Sequence, residues 1–443
     1  GRQRKREKIM TSPKVVVIGG GAAGLIAAGR AAECGARVIL VEKNQALGAK
    51  LILSGKGRCN ITNGEEDIDR FLSFYGKKGK FLYSVFSRFG PRETLLFFEK
   101  RGLRTVMERG KRIFPEKGGS EKVINCLIDY LKEGRVEIYR SREALNLEFR
   151  NGRAKRFILR GQEVEGDAFI ICTGGKSFPK TGSSGDGYRF AQRAGHTIIT
   201  PKPALCPVKL RDKWPLPARG LNLKNVSLSL FLDGVKISER FGELLLTHFG
   251  ISGPIAMDMS REIDDACSGG SAELYLDLKP ALSLEILSAR IGRDFEKYAG
   301  SAFKESLKDL LPRGIISSVL EKSAIPAEKR VSDISSEERN SLARLLKAMP
   351  LVPSGLLGFD WSIVTSGGVS LKEIEPATMK SKLAENLFFA GEILDIDGPT
   401  GGFNLQMCWS TGYMAGESAA GIFALPEESG RRSNDDLQAK NPV

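Results

Sequence analysis

Residues 15–42 constrain the fold more than any other part of the chain, because they combine two strand patterns, a glycine turn and a helix in one fixed order. Val15–Ile18 is a short, wholly apolar run, which is typical of a parallel strand buried on both faces. A helix of small residues follows, and Arg37–Val41 is the next strand pattern. The turn before the helix has the spacing GxGxxG, with glycines at Gly19, Gly21 and Gly24. This order predicts a Rossmann-like α/β fold that binds a dinucleotide.

Each residue of this turn has an expected role. Gly19 permits the tight turn, Gly21 lets the backbone approach a pyrophosphate, and Gly24 lets the helix pack closely against the strand. Ala22 and Ala23 open the helix, where free N–H groups and the positive end of the helix dipole favour a phosphate. These residues are therefore assigned to cofactor binding.

An acidic residue stands at the end of the second strand. Glu42 is predicted to accept hydrogen bonds from ribose hydroxyls, and the adjacent Lys43 is included in the predicted binding set. Because an acid at this position disfavours a 2′-phosphate, NADP is not expected in this site. The unit by itself does not distinguish FAD from NAD.

Residues 48–63, GAKLILSGKGRCNITN, are dense in Gly, Ser and Asn, with basic side chains among them. One interpretation is a surface loop, and the other is a loop that wraps around a cofactor. Periodicity does not decide between the two. Under the second interpretation the residues assigned to cofactor binding are Lys50, Ser54, Gly55, Gly57, Arg58, Cys59 and Asn60.

A predicted β-meander leads back to the sheet. Ala144–Arg150 alternates in polarity, Asn151-Gly152 is a hairpin signal, and Arg153–Arg160 returns. The alternation places three apolar side chains on one face, namely Leu145, Leu147 and Phe149.

The next buried strand is predicted over Asp167–Cys172, and Thr173 and Gly174 at its end are assigned to the cofactor site. The segment TGSSGDG at 181–187 is typical of a Gly/Ser loop that leads into a helix, with Asp186 as the expected N-cap.

A second glycine turn occurs late in the chain. A strand pattern over Leu387–Ala390 ends at Gly391 and Glu392, and a helix rich in small residues is predicted over 403–423. The turn between them, DIDGPTGG, lacks GxGxxG. The economical interpretation is that it completes the first site, and the alternative is a turn that merely precedes a helix.

FAD suits a site built from two such units, because its isoalloxazine must be held away from its ADP half. Asp397 is predicted to bond the ribityl hydroxyls or, through water, a phosphate. The N–H groups of Gly402, Phe403 and Asn404, next to Gly401, are expected to face flavin N1 and the C2 carbonyl. Reduced flavin carries negative charge there, which a helix N-terminus stabilises. The second turn therefore favours FAD over NAD.

Between the two units the pattern changes. Three prolines within 201–207 indicate a boundary, and 283–347 follow helical spacing with a capping box at Ser335 and Glu338. The predicted strands of the insertion are Val226–Leu232, Val235–Ser238, Leu244–Thr247 and Ala272–Leu278. The predicted domains are 10–200 for a first FAD-binding segment, 201–280 for an inserted β domain, 281–350 for a helical domain, 351–425 for the return to the FAD-binding domain, and 1–9 and 426–443 for flexible tails.

The composition argues against several other classes of protein. Seven cysteines without CxxC spacing argue against a zinc site, a disulfide scaffold and a dithiol centre, and two histidines exclude a His-rich metal site. No metal is predicted, and a reducing cytoplasm fits. No apolar run of about 18 residues predicts a membrane span. The net charge of +14 indicates either a solvated basic surface or attraction for anionic ligands or nucleic acid.

With these motifs together, the chain resembles the bacterial flavoproteins known as NAD(FAD)-utilising dehydrogenases or BaiN-type oxidoreductases, which include aminoacetone oxidases. The motifs that carry the resemblance are VVVIGGGAAGL (15–25), LSGKGRCNITN (53–63), TGGKSFPKTGSSGDGYRFAQRAGH (173–196), LLLTHFGISGP (244–254), VTSGGV (364–369) and FFAGEILDIDGPTGGFNLQ (388–406). One departure is Lys56, where members often have Gly. The resemblance implies a two-segment FAD-binding domain with an inserted β-barrel-like domain and a helical domain. It also favours a cofactor role for the loop at 48–63.

The predicted activity is that of an FAD-dependent oxidoreductase that moves hydride equivalents from a small organic donor or NAD(P)H, through flavin N5, to an acceptor. No second strand–GxGxxG–helix unit exists in the sequence, so NAD(P)H is expected only as a transient substrate. Two alternatives stay open: an O2-using amine oxidase acting on an aminoacetone-like substrate, and an RNA-linked flavoprotein. Nucleic-acid binding is judged the weaker alternative, because no RNA-binding motif is present. The sequence does not indicate an oligomeric state.

The side chains that act on a small-molecule substrate are harder to assign. Thr247 and His248, within LLLTHFGISGP, are the predicted catalytic pair near the reacting ring, because His exchanges protons near neutral pH. The alternative is a structural His at a strand end.

Overall fold

The structure is a computed structural model, and it describes residues 12–421. The predicted tails at 1–9 and 426–443 lie outside the described residues. The strands are β1 (Lys14–Ile18), β2 (Arg37–Val41), β3 (Thr62–Asn63), β4 (Thr105–Glu108), β5 (Arg112–Pro115), β6 (Glu137–Tyr139), β7 (Ala144–Arg150), β8 (Arg153–Leu159), β9 (Gln162–Glu165), β10 (Ala168–Ile171), β11 (Ile198–Ala204), β12 (Val208–Leu210), β13 (Asn222–Leu232), β14 (Val235–Leu246), β15 (Gly250–Ser252), β16 (Ala272–Asp277), β17 (Met349–Leu351), β18 (Pro353–Leu356), β19 (Val364–Val369) and β20 (Leu387–Phe389).

The helices alternate with these strands at both ends of the chain and cluster in its middle. They are α1 (Ala22–Glu33), α2 (Ile68–Ser73), α3 (Gly79–Arg88), α4 (Pro91–Lys100), α5 (Ser120–Glu133), α6 (Asp186–Arg193), α7 (Pro254–Asp258), α8 (Ser260–Gly269), α9 (Leu284–Lys297), α10 (Phe303–Ser306), α11 (Arg313–Ser323), α12 (Ser336–Lys347) and α13 (Phe403–Gly421). Within residues 12–421, no helix combines the length and apolarity needed to cross a membrane.

A parallel sheet joins the two ends of the chain. Its strand order is β20-β10-β1-β2-β6, and every neighbouring pair is parallel. β1 and β10 are almost wholly buried, as their continuous apolar sequences predict. The late strand β20 pairs with β10, so residues more than 200 positions apart are neighbours in one sheet. The prediction of a two-segment Rossmann-like α/β fold is confirmed.

The small residues of α1 and α13 let these two helices pack backbone to backbone. A Cβ on Gly412 would lie 2.4 Å from the Ala23 carbonyl oxygen, and one on Gly416 would lie 2.3 Å from that of Ala27. Contacts this close exclude any side chain at the two glycines. The packing therefore places both glycine turns at the same end of the sheet.

The inserted segment forms an antiparallel sheet of seven strands in the order β17-β16-β13-β14-β15-β12-β18. The two edge strands are consecutive in the chain and are separated only by Val352, so the sheet must curl until its edges meet. This confirms the expected barrel-like form. Helices α9, α11 and α12 share a second hydrophobic core with this sheet. The domain boundaries at 201, 281 and 351 stay a prediction.

Several local predictions can be compared with the elements. The capping box is confirmed, because Ser335 Oγ accepts the Glu338 N–H at 3.1 Å and the Glu338 carboxylate accepts the Ser335 N–H at 2.8 Å. The meander is confirmed as β7-β8-β9, but Leu145 is exposed because a register shift lies between Ala144 and Asn146. The two strands predicted within 235–247 are one continuous strand, β14.

Candidate active site

A large cleft opens at the carboxyl end of the parallel sheet, where ligands bind in open α/β folds. Its volume is about 1780 Å³, and it continues from the ends of β1, β2, β10 and β20 to the inserted segment. Among the predicted site residues, those that line it are Gly19, Gly21, Ala22, Ala23, Glu42, Lys43, Lys50, Ser54, Gly55, Arg58, Asn60, Thr173, Gly174, Gly391, Glu392, Asp397, Gly401, Gly402, Phe403 and Asn404.

The first glycine turn, residues 19–24, has the geometry that its spacing predicts. Gly19 has a positive φ of 103°, and a Cβ on Gly24 would lie 1.8 Å from the Gly19 carbonyl oxygen. By contrast, nothing in the described chain lies within 4 Å of a Cβ placed on Gly21. No side chain caps α1, so its first N–H groups face the cleft. The turn therefore offers a cradle that fits a pyrophosphate.

The acidic residue beside this turn is held by backbone donors. Glu42 is buried, and its carboxylate accepts the N–H groups of Gly20 at 2.7 Å and Asn44 at 2.8 Å. These contacts fix the carboxylate at the rim of the cleft, where it can also accept hydroxyl donors.

Lys43 reaches across the cleft to the loop before α6. Its Nζ lies 2.7 Å from the Asp186 carboxylate and 2.5 Å from Ser184 Oγ. The predicted N-cap at Asp186 is wrong, because Gly185 occupies that position and Asp186 is the first helical residue. The Asp186 side chain forms the ion pair with Lys43 and does not cap the helix.

A hydrogen-bonded network connects the loop at 48–63 with the end of β20. Lys50 Nζ lies 2.6 Å from both the Glu392 carboxylate and Ser177 Oγ, and the Ser177 hydroxyl donates to Glu392 at 2.6 Å. The Thr365 N–H also donates to Glu392, at 2.9 Å. Because these side chains are mostly buried, the network holds the loop against the sheet edge.

The rest of this loop combines left-handed backbone with surface contacts. Gly55 and Lys56 have φ values of 57° and 58°, a region that glycine adopts without strain and that a lysine adopts at a cost. Arg58 lines the cleft and pairs with Glu108 at 2.6 Å, and this hydrogen bond lowers the pKa of Glu108. Asn60 Oδ1 accepts the N–H of Ile113 at 3.1 Å, which attaches the loop to β5.

Three predicted cofactor residues do not line the cleft. Gly24 lies behind the turn, where it packs against Gly19. Cys59 is fully buried, and burial raises the pKa of its thiol to about 12, so it stays protonated. Gly57 packs against Gly119 through its carbonyl oxygen. The structure places these residues in the scaffold of the site.

The second glycine turn, residues 397–402, is held in place by residues far away in the chain. Gly402 has a φ of 103°, and a Cβ there would lie 2.4 Å from Thr62 backbone atoms, so β3 supports the start of α13. Asp397 is bonded by the Arg261 guanidinium at 3.2 Å to both carboxylate oxygens. The Asn404 side chain accepts the Gly398 N–H and donates to its carbonyl, which closes the turn.

An acid that the sequence interpretation missed lies next to this turn. Asp258, at the end of α7, accepts hydrogen bonds from the Thr400 N–H at 2.8 Å and from the Thr400 hydroxyl at 3.1 Å. Desolvation raises the pKa of Asp258 to about 6, against the lowering effect of these bonds. A single aspartate in a short helix has no motif around it, so the sequence offers no signal for this role.

The predicted catalytic pair lies elsewhere. The N–H of Thr247 donates to the Gly250 carbonyl at 2.8 Å, and its hydroxyl accepts the Gly250 N–H at 3.1 Å, which closes the tight turn between β14 and β15. His248 is exposed at this turn and packs its ring against Phe249. Neither residue is among those that line the cleft, and their role near a reacting ring stays a prediction. The same motif instead continues into α7, which does reach the cleft.

Fold and cleft define the class of protein, a Rossmann-type α/β protein with a ligand cleft at the carboxyl ends of its parallel strands. More particularly, the chain belongs to the HI0933-like family, because the family model described as "HI0933-like protein Rossmann domain" matches residues 13–418. The resemblance inferred from the motifs is therefore confirmed.

Curated relatives match almost the whole chain. The 3-dehydro-bile acid delta(4,6)-reductase of Clostridium scindens is 33% identical over 414 residues, which cover 92% of this chain and 99% of that protein. The ribosomal RNA dihydrouridine synthase of Haemophilus influenzae is 28% identical over 402 residues, covering 90% and 96%. The enzyme of the same name from Escherichia coli is 26% identical over 398 residues, with the same coverage.

Solved structures share the fold at lower identity. A 3-ketosteroid-delta4-(5alpha)-dehydrogenase from Rhodococcus jostii RHA1 has a TM-score of 0.51 and 17% identity, covering 95% of this chain and all of that chain. An open flavocytochrome c3 fumarate reductase has a TM-score of 0.51 and 16% identity, covering 93% and 79%. At these identities the likeness concerns the fold alone.

Proposed function

We propose that the protein is an FAD-dependent reductase of a carbon–carbon double bond conjugated to a carbonyl group. The observation that carries this proposal is one continuous cleft in which both glycine turns meet an apolar patch of the inserted segment. A cofactor laid along the two turns would present one face of its ring to that patch.

In this proposal each of the two turns binds a different part of the cofactor. The first turn, residues 19–24, would hold the pyrophosphate, and Glu42 the adenosine ribose. Asp397 would take the ribityl chain, and the start of α13 would lie along the pyrimidine edge of the flavin. When bound, FAD supplies the two-electron chemistry of hydride transfer. The domain division at 201, 281 and 351 remains part of this proposal, in which the insertion would form the wall opposite the cofactor.

The substrate wall is apolar where it approaches the second turn. A small cluster is formed there by Ala204, Leu205 and Val364, with Met257 packed against it, and all four residues line the cleft. Such a surface suits a flat, apolar conjugated ketone, because burial of its carbon surface is favourable by about 25 cal/mol per Å².

The names of the relatives point to the same chemistry. A 3-dehydro-bile acid with 4,6 double bonds carries a ketone conjugated to those bonds, and a dihydrouridine is a uridine whose carbon–carbon double bond, conjugated to a carbonyl, has been reduced. NAD(P)H is the proposed electron donor and would bind only transiently.

Uridine in RNA is the second candidate substrate. Arg109, Lys111 and Arg112 are exposed on the cleft rim, at the β4–β5 hairpin, where cations could contact phosphates. The net charge of +14 and the two dihydrouridine synthases among the relatives favour this candidate.

Anaerobic absorption spectroscopy of the purified holoprotein tests the proposal. NADH or NADPH is expected to bleach the bound flavin, and 4-androstene-3,17-dione or a uridine-containing RNA oligonucleotide is expected to restore its absorption. Restoration by the steroid alone selects the small-molecule reductase, and restoration by RNA alone selects the second candidate. Flavin that is reduced by amines and restored only by O2, with release of peroxide, would instead establish the amine-oxidase alternative.

A further inference from the structure

We propose that Asp258 is the proton donor of the reduction, acting on the substrate from the inserted side of the cleft. This inference rests on the proposed function and adds the residue that supplies the proton. Reduction of a conjugated double bond adds a hydride equivalent to one carbon and a proton to the other. The hydride equivalent comes from the reduced cofactor, and the proton must come from an acid within reach of the substrate.

The position of Asp258 suits this task. Both of its contacts are with Thr400, the residue before Gly401, where the pyrimidine edge of the flavin is expected. The preceding residue, Met257, belongs to the apolar patch of the cleft. The carboxyl group of Asp258 therefore lies beside the expected position of the cofactor ring, and the adjacent Met257 belongs to the proposed substrate wall.

Most of the other acids that line the cleft form ion pairs with Lys or Arg side chains. Seven of the cleft-lining carboxylates in the described chain form ion pairs, namely Glu65, Glu108, Glu143, Asp186, Glu262, Glu392 and Asp397. An ion pair favours the charged form and opposes protonation. Glu42 is bonded to backbone N–H groups, and a hydrogen bond from Asn222 lowers the pKa of Glu243. Asp258 forms no such ion pair in the described chain, and desolvation raises its pKa to about 6.

The groups that face Asp258 are one hydroxyl-bearing residue and one cation. Thr400 faces it from the second turn, and Arg240 faces it from β14. The Arg240 guanidinium lies 2.9 Å from the Glu262 carboxylate, and Arg261 is bonded to Asp397. Within the described chain both cations are paired with other acids, and the charge of Arg240 lowers the pKa of Asp258 by less than desolvation raises it.

The proton balance is simple. The carbon–carbon π bond breaks, the hydride equivalent forms one C–H bond, and the Asp258 carboxyl proton forms the other. The carboxylate that remains is stabilised by the two Thr400 donors and regains a proton from water.

The test uses FAD-loaded protein that is reduced with dithionite without O2 and mixed with 4-androstene-3,17-dione or uridine-containing RNA. Asp258→Asn retains an acceptor for Thr400 but has no acidic proton, so reoxidation by the organic probe should slow by about 100-fold. The wild-type rate should fall as pH rises through about 6, and the variant rate should not depend on pH in this range. Asp265→Asn, an exposed acid on α8 that pairs with Lys202, is the matched control and should behave as wild type.

A second variant keeps the proposal testable if Asp258→Asn loses FAD. Thr400→Val removes the hydroxyl that donates to the carboxylate, so the pH at which the rate falls should move upward. The absorption spectrum of oxidised, bound FAD provides a readout without turnover, and it should respond to the same ionisation in the wild type.

The outcomes distinguish the proposed role of Asp258 from the proposed reductase function. Reoxidation of Asp258→Asn at the wild-type rate, with an unchanged pH profile, would overturn the role of Asp258 and leave the reductase proposal standing. An unmoved profile in Thr400→Val, or a flavin spectrum insensitive to pH around 6, would also overturn it. Wild-type protein that neither probe reoxidises would refute the proposed function and this inference together.

Discussion

The two glycine turns of the cleft are held in place by different kinds of contact. At residues 19–24 the turn is completed locally, since Glu42 bonds the Gly20 N–H from a position 22 residues away. At residues 397–402 the turn is completed from a distance, because Arg261 and Asp258 reach it from positions 136 and 142 residues earlier. The first turn is thus held by residues of the same strand–helix–strand unit. The second turn joins the parallel sheet to the inserted segment.

This difference has a consequence for function. A change at Gly24 of the first turn should affect the fold, because backbone packing leaves no room for a side chain, whereas a change at Gly21 should affect the cofactor alone. A change in the second turn should affect affinity and reactivity in graded steps, because it alters side-chain contacts that other residues partly replace.

The largest effect is expected for Gly24→Ala. Its Cβ would lie 1.8 Å from the Gly19 carbonyl oxygen, so α1 must move away from β1, at a cost of roughly 3 kcal/mol or more. Thermal unfolding of the apoprotein measures this cost. A variant as stable as wild type would contradict the idea that backbone packing limits the first turn.

Gly21→Ala is the matched substitution at the same turn, and its effect should fall on the cofactor alone. The added methyl group would point into open cleft, and the backbone of Gly21 is extended, so apoprotein stability should be unchanged. FAD affinity should fall by about 100-fold, or about 2.7 kcal/mol, because the methyl group occupies the expected pyrophosphate space. Titration of apoprotein with FAD checks this prediction, and undiminished affinity would remove the pyrophosphate from this position.

A smaller and graded loss is expected for Asp397→Ala, the corresponding change at the second turn. Loss of the carboxylate should weaken FAD binding by about tenfold, or about 1.4 kcal/mol, while the fold remains intact. Arg261→Ala is the control, because Lys78 also lies near Asp397, at 3.9 Å, and can keep the carboxylate in place. If Asp397→Ala binds flavin as tightly as wild type, this turn does not contact the ribityl chain.

Glu42→Gln should have a milder effect than Gly24→Ala, Gly21→Ala or Asp397→Ala. The amide keeps one acceptor for the backbone N–H groups of Gly20 and Asn44 but loses the charge, and FAD affinity should drop by about fivefold, or about 1 kcal/mol. Equilibrium titration of FAD fluorescence is the measurement. An equal loss in Asp397→Ala and Glu42→Gln would argue that the two turns contribute alike.

The smallest effect concerns a site outside both turns. Desolvation lowers the pKa of His196, whose ring lies 2.8 Å from Ser381 Oγ and 3.2 Å from the Glu373 carboxylate. The unfolded chain binds a proton here below about pH 6.5 and the folded chain binds it less readily, so this His contributes stability at neutral pH that declines on acidification. The difference in unfolding free energy between wild type and His196→Asn should therefore shrink from pH 7.5 to pH 5.5, and a constant difference would contradict it.

Much of the fold follows from local sequence because its signals are local. The apolar run at Val15–Ile18 and the capping box at Ser335 and Glu338 encode elements within a few residues, and the structure contains both. The barrel-like closure was anticipated through the family resemblance, and in the structure it follows from the single residue that separates β17 from β18.

The sequence indicated the residues at the strand ends of the site but not those of the inserted segment. Glycines and acids at the ends of β1, β2, β10 and β20 were found because parallel strands bring their carboxyl ends together. Within the motif LLLTHFGISGP, Leu245 and residues 252–254 line the cleft, whereas Thr247 and His248 form the tight turn between β14 and β15 and are not among the lining residues. Polarity and a reactive side chain were not sufficient to identify the residue that points inward.

The sequence by itself determined the buried strand β1, the glycine turn at 19–24 and the position of the second glycine turn, because each is marked by a pattern of residues that are close in the chain. Only the tertiary structure decided which side chains meet across the cleft. Asp258, Arg261, Ser177 and Thr365 become part of the site through the docking of distant segments, and their burial and ion pairing are properties of that docking. A carboxyl group acquires its pKa from this environment, so the acid closest to neutrality cannot be identified before the chain has folded around it.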